Sequence, residues 1–401
     1  MNAFCVRTST RIAPFGDSVG DVRVGAKSLA ASQEEALKAA GFMLVEEAPT
    51  SGPVLLFSDR TWFTSGVLNA LRDTGHGRVR IEDAGWLAWL DPLQDMPESG
   101  VYELGISENG VVPFSDLPPV SVEVEFTDLS LDAPHPSMAH AYARPFRVGP
   151  AMVQQVDHWS HIVRANHLFL AARMEEARQD WEGAGFFGRI LRVLGILWRA
   201  RSLNGWKIAS AMTERGKDVK VHPTAVVEFS VLHEGCDIGP HAVVRGSVVG
   251  AGAKVDAHAN VNASIVDEGA KVGRYGFLNL CTVYPGAFIS SGDGFQASVF
   301  GQESFVAWGA TILDLSFGAA IKVEQDGPGS PRIDSGHHFL GAAIGHRAVL
   351  GQGVKVRYGA SIPNGGMLVD GSMQLREWGE AHIDGPAVVV DGRAVPLKGQ
   401  D

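Results

Sequence analysis

From Val221 the chain repeats itself every 17 residues for four turns, and this period constrains the fold more than any other feature. The turns begin at Val221, Ile238, Val255 and Val272. Stacked, they give aliphatic columns: Val227, Val244, Val261 and Leu278 in the seventh place, and Leu232, Val249, Val266 and Val283 in the twelfth. Four residues after each aliphatic position lies a small one, as in Ala225, Ala242, Ala259 and Gly276, or Cys236, Ala253, Ala270 and Ala287. Such periodicity marks a solenoid, whose coils bury their apolar faces only against their neighbours. Three short strands per coil make a triangular prism with aliphatic side chains inside and small residues at the bends. The glycine column Gly235, Gly252, Gly269 and Gly286 supplies backbone freedom near one corner.

Further on the period tightens to six. Phe300, Val306 and Ile312 are followed four residues later by Ser304, Ala310 and Ser316; Ile344, Leu350, Val356 and Ile362 by Ala348, Val354, Ala360 and Gly366. Between about residues 318 and 338 the pattern breaks around Asp326-Gly327-Pro328-Gly329, which reads as a loop or hairpin thrown out of the coil. After Asp370 the repeat stops, and residues 388–395 read as a small closing hairpin. These rows resemble the hexapeptide-repeat family. The resemblance implies a left-handed parallel β-helix, a homotrimer, and either acyl transfer or a place behind a sugar nucleotidyltransferase domain.

The remaining properties exclude several classes. At 401 residues there is room for two cores. A net charge of −11 leaves no basic excess to neutralise phosphates, so no nucleic-acid partner is expected. Cys5, Cys236 and Cys281 form no CxxC pair and fit a reducing compartment. No apolar leader opens the chain, and no apolar run reaches the roughly 18 residues a spanning helix needs. A cytoplasmic protein is the expectation.

The N-terminal half alternates between strand and helix periods. Residues 28–40 predict a helix with Leu29, Gln33, Leu37 and Ala40 on one side and Gly41 as its C-cap. Val54–Phe57 predicts an apolar strand ending in Ser58-Asp59, and Ser65–Asp73 a second helix. Alternation of this kind suggests an α/β sheet with ligands beyond the carboxyl ends of its strands.

Here the landmarks resemble those of sugar-1-phosphate nucleotidyltransferases. Thr10-Arg11 is followed by Pro14, Lys27 by Gln33 and Ala40-Gly41, the apolar strand by Ser58-Asp59, and His158-Trp159-Ser160 by Ala165-Asn166. The resemblance implies a Rossmann-like N-terminal domain in which Arg11, Lys27 and Gln33 bind a sugar phosphate or nucleotide sugar and Asp59 holds Mg²⁺. The chain departs from that pattern in two places. Thr8-Ser9 stands where the family has phosphate-loop glycines, and Ser160 or His161 falls near its second metal-binding aspartate, with Asp157 as a displaced substitute.

Each candidate has a plainer alternative. Asp59 could cap the next helix, and Arg11 and Lys27 could be surface charge. Hexapeptide acyltransferases often use a histidine as general base, and His337-His338 borders the interruption, with His346 opening the following turn. Under that alternative the acyl donor is acyl-coenzyme A and the site lies between neighbouring β-helices. Each of these histidines could instead be structural; His233, His241 and His258 simply face outward. The His337-His338 spacing matches no tetrahedral zinc signature, which argues against a metal in the β-helix.

From Phe186 to Lys207 the chain carries Arg189, Arg192, Arg199, Arg201 and Lys207 without an acid, interleaved with apolar residues. This predicts a cationic amphipathic helix that either makes peripheral contact with an anionic membrane or links the domains, its arginines meeting acidic neighbours. The organisation expected is α/β followed by all-β: residues 1–178 a divergent nucleotidyltransferase-like domain, 179–218 a helical linker, 219–370 the β-helix, and 371–401 a C-terminal hairpin and tail. Nucleotidyl transfer, acyl transfer to a sugar or nucleotide sugar, and a non-catalytic trimeric scaffold or regulatory binder all follow from these features.

Overall fold

The computed structural model describes residues 1–129, 133, 135–290, 294–369, 387–390 and 393–396. The repeat columns are stacked rungs of a parallel β-helix. Val221 pairs with Ile238, Ile238 with Val255 and Val255 with Val272, and the two other columns stack in the same register. Leu232, Val244, Val261 and Val266 are all but fully buried. Each such side chain gains roughly 1.5–3 kcal/mol from leaving water. Rungs begin at Glu214–Arg215, just ahead of the first repeated column.

Two features of the coil are local chemistry. The glycine column turns with positive φ, from 62° to 68°, as the repeat requires. At another corner the buried hydroxyls of Ser230, Ser247 and Ser264 form a ladder. Each donates to the carbonyl two residues back and accepts the N–H of the rung above, as where Ser264 N–H reaches Ser247 Oγ at 3.1 Å. The interior therefore leaves these corner amides satisfied without water.

The interruption leaves the register intact: Phe300 pairs with Ile344, Val306 with Leu350 and Ile312 with Val356. The intervening chain leaves after Ile312, wider than the sequence suggested, and folds an antiparallel hairpin of Lys322–Glu324 with Arg332–Asp334. The hairpin predicted at the C-terminus is present, pairing Ala387–Val390 with Arg393–Pro396.

The N-terminal half is a mixed α/β domain. Its strands are β1 (Asn2–Val6), β2 (Met43–Val45), β3 (Val54–Ser58), β4 (Gly77–Arg80), β5 (Val101–Ser107) and β6 (Pro119–Ser121), in the order β6-β4-β5-β3-β1-β2. β1 runs parallel to β2 and β3, whereas β5 is antiparallel to β3 and β4. Every residue of β3 is buried, as expected of a central strand covered on both faces. Helix α1 (Leu29–Ala39) is capped by the Ser28 hydroxyl, which accepts the Ala31 N–H at 3.2 Å, and Gly41 follows it at φ 74°. Among the described residues the α-helices that follow are α2 (Ser65–Thr74), α3 (Ala84–Leu90), α4 (Trp159–Gly183), α5 (Phe186–Ala200) and α6 (Gly205–Ala211).

The two halves share one core along a seam. The outward-facing residues Val248, Ile265, Thr282, Val299 and Ala343 of one prism face are buried, with the N-terminal end of α4 lying across that face. Across the seam Arg23 clasps Asp267 through two hydrogen bonds of 2.5 and 2.9 Å, and the Arg23 N–H donates to the Tyr284 hydroxyl. Asn166 joins three elements: it accepts the Gly25 N–H and donates to the Arg23 carbonyl and Thr282 Oγ1. Gly25, at φ 64°, sits so close to the Phe169 ring that any side chain would collide with it.

Candidate functional site

The parallel arrangement of β1 and β3 brings Thr8 and Asp59 together beyond the strand ends. Both carboxylate oxygens of Asp59 are engaged: Thr8 donates its N–H to Oδ2 at 3.0 Å and its hydroxyl to Oδ1 at 2.9 Å. Asp59 thus clamps the segment that follows β1. The next residue, Arg60, points the other way into an acidic cluster. It donates to Glu103 through Nε and Nη2 at 2.8 and 2.7 Å, and to Asp157 through Nη1 at 2.8 Å. Burial disfavours its charge, but those carboxylates more than offset this and raise its pKa. Burial pushes the Asp157 carboxyl up while Arg60 pulls it down, and its second oxygen accepts the Asp95 N–H.

The other residues from the resemblance are dispersed. Arg11 lies in a two-stranded turn and donates to the Gly16 carbonyl at 2.7 Å. Lys27 pairs with Glu35 and sits 5.4 Å from the Phe169 ring centre. Gln33 is buried, its amide donating to the Ser58 and Thr61 carbonyls at 3.0 and 2.8 Å, so it braces the end of β3. Near the place where the resemblance puts a second metal-binding aspartate, His161 binds backbone. His161 Nδ1 accepts the N–H groups of Asp157 and His158, and Nε2 donates to the Pro92 carbonyl at 2.9 Å. His158 caps α4 through Nδ1 and donates through Nε2 to the Glu324 carbonyl of the inserted hairpin.

No group of three metal-ligating side chains that would hold Mg²⁺ exists among the described residues, and each oxygen of Asp59 and Asp157 accepts a hydrogen bond from the protein. The turn of the inserted hairpin also approaches the Arg11–Pro14 segment, with Gly327 against Ala13.

A second cluster lies where the insertion meets the N-terminal domain. His337 stacks at a tilt on Trp89, ring centres 4.9 Å apart, and His338 meets His140 edge-on at 4.9 Å. His140 Nε2 donates to the Ser316 carbonyl at 2.7 Å. The buried nitrogens His337 Nε2 and His338 Nδ1 have no hydrogen-bond partner among the described residues. Burial, then the nearby Arg164 and Arg144 charges, hold His337 well below the usual histidine range, so its ring is neutral. Beneath it Arg164 is buried without a carboxylate, donating weakly to the carbonyls of Pro92 (3.4 Å) and Ser335 (3.3 Å), and burial lowers its pKa to about 9.

His346 is fully committed instead: Nδ1 accepts the Gln302 N–H at 2.8 Å and Nε2 donates to Asp17 at 2.9 Å. At an exposed corner His241 stacks on His258 at 5.0 Å and His258 on Tyr275 at 5.1 Å. His337 and His338 face Trp89 and His140 of the chain's own N-terminal domain. Trp89, His140 and Arg164 escaped the sequence reading. A signal existed for the seam that gathers them. The column Val231, Val248, Ile265, Thr282 and Val299 points out of the coil and is almost wholly apolar, whereas Lys220, Asp237, Lys254 and Lys271 on the next face are charged.

No family model matches the chain, and no curated protein matches it. Among solved structures it is similar to the polysialic acid O-acetyltransferase OatWY. That match has 14% identity and a TM-score of 0.20, over 40% of this chain and 77% of the other. Similarity at that level carries no argument about function.

Proposed function

We propose that the chain is an acyltransferase of the hexapeptide-repeat type, built on a left-handed β-helix, with His338 as general base and His337 beside it. The observation that supports this is the difference in how the two candidate sites use their polar atoms. Beyond β1 and β3 each oxygen of Asp59 and Asp157 accepts a hydrogen bond from Thr8, Arg60 or Asp95. At the insertion His337 Nε2 and His338 Nδ1 have no hydrogen-bond partner among the described residues. A general base requires a free lone pair on an uncharged ring.

In the reaction His338 takes a proton from an acceptor hydroxyl or amine. The freed electron pair attacks the thioester carbonyl of acyl-coenzyme A, the carbon–sulfur bond breaks, and the proton passes to the departing thiolate. The acceptor class is a sugar or nucleotide sugar. Arg164, a buried cation with no carboxylate partner among the described residues, helps keep the His337 ring uncharged. Nucleotidyl transfer lacks comparable support, because no group of three metal-ligating side chains exists among the described residues. Assembly as a homotrimer belongs to the same proposal.

The test is a pair of assays on the full chain. Acetyl-coenzyme A is offered with amino sugars, sugar phosphates and nucleotide sugars, and thiol release is followed. In parallel, nucleoside triphosphates and sugar phosphates are offered with Mg²⁺, and pyrophosphate is followed. Acceptor-dependent thiol release is expected. Pyrophosphate release without thiol release would replace this reading with nucleotidyl transfer.

A further inference from the structure

The least explained surface of the molecule is α5 and the turn into α6. The sequence allowed that this segment packs the domains together; no residue of α5 is buried. Phe186, Phe187, Leu191, Leu194 and Trp198 are between 56% and 78% exposed. At 100° per residue they fall on one side of the helix, with Arg189, Arg192 and Arg199 on the other. Leu203 and Trp206 continue the apolar surface at 84% and 69% exposure. Contiguous exposure of this many large apolar side chains marks an interaction site.

The charges identify its occupant. No acid occurs between Glu182 and Glu214, a stretch carrying four arginines and Lys207, in a chain of net charge −11. Among the described residues only Arg192 reaches an acid, Asp180, at 3.9 Å. Arg189 donates to the carbonyls of Trp181 and Glu182 and keeps its charge free. An apolar stripe flanked by unneutralised arginines, with two tryptophans, complements an anionic lipid surface: the apolar side chains enter the acyl boundary and the guanidinium groups stay among the phosphates. No helix among the described residues is long and apolar enough to cross a membrane.

We propose that α5, with the turn into α6, docks the protein on the surface of an anionic membrane. The 25 residues of α4, about 37 Å along a helix axis, separate this element from the His158 end of that helix.

Co-sedimentation of the full chain with vesicles tests this. Vesicles of phosphatidylcholine alone are compared with vesicles that also contain phosphatidylglycerol. Binding is expected on the anionic vesicles, at least tenfold weaker on the zwitterionic ones, and reduced by salt. Leu191→Glu with Leu194→Glu, both exposed, should abolish it with melting unchanged, and replacing Arg189, Arg192 and Arg199 by Gln should weaken it at least about tenfold. No binding, equal binding to both vesicles, or binding unaffected by the Leu191→Glu and Leu194→Glu changes would overturn the proposal. If those two changes instead lower the sedimenting mass of a chain that ignores vesicles, α5 is a contact between copies and the membrane assignment is wrong.

Discussion

The prism interior and the seam are both buried, yet they are built from opposite materials. Inside the coil each rung repeats its neighbour's environment, with aliphatic side chains stacked in columns and serine hydroxyls closing the backbone at one corner. Along the seam nothing repeats. His158 and His161 are buried there with Arg164 and His167 is half-buried, and each histidine is held below its ordinary range by burial. The contrast teaches that the coil supplies order that is indifferent to pH, whereas the seam stores ionisable groups in neutral or poorly paired states. Such states are where chemistry is found more often than in repetitive packing.

The largest expected effect is in the coil. Val244→Asp or Val261→Asp places an unpaired carboxylate in a dry stack, at a cost of at least several kcal/mol, and should abolish the folded β-helix. Circular dichroism melting checks this, and unchanged melting of either variant would break the column assignment.

The next effect belongs to acid and the seam. His158 and His167 are held at about 4, against an ordinary 6.5. The unfolded chain therefore binds protons below about 6.5 that the folded chain refuses. Stability is full above that pH and falls as the pH drops towards 4, by an order of 3 kcal/mol for each ring. Hydrogen exchange from pH 7 to 4.5 should show the 158–167 and 335–340 amides opening before those of residues 244–266. Uniform opening would erase the distinction between the two regions.

Smaller again is the clasp between them. Arg23→Met strands Asp267, whose side chain is 1% exposed, and should cost about 3 kcal/mol in chemical denaturation. Adding Asp267→Asn should recover part of that loss, and no recovery would mean the pair is not coupled. The smallest effect is expected on the uncovered face. Lys271 pairs with Asp256 at 3.2 Å with both side chains over one-third exposed, so Lys271→Ala should change stability by less than about 1 kcal/mol.

The coil was legible because each column states the same requirement many times; one rung could mislead, but Val221, Ile238, Val255 and Val272 together could not. The helix from Leu29 and the strand from Val54 were legible for a local reason, a cap at one end and an unbroken apolar run. The face that forms the seam was legible in its outward apolar column, but the residues gathered there were not, because Trp89, His140 and Arg164 come from distant segments and nothing in the sequence places them beside His337. Gln33 and Asp59 show the converse. Their spacing suggested substrate and metal, but in the folded chain their polar atoms are used by carbonyls and by Thr8.

Whether chemistry resides at the insertion and not beyond β3 is tested most directly by turnover of acetyl-coenzyme A in His338→Ala and Asp59→Asn, measured beside the unaltered chain. Loss of the base should lower turnover by roughly 10²–10⁴ with melting preserved, while Asp59→Asn leaves turnover within about twofold. An Asp59→Asn variant that folds but is inactive, beside a fully active His338→Ala, would contradict the assignment.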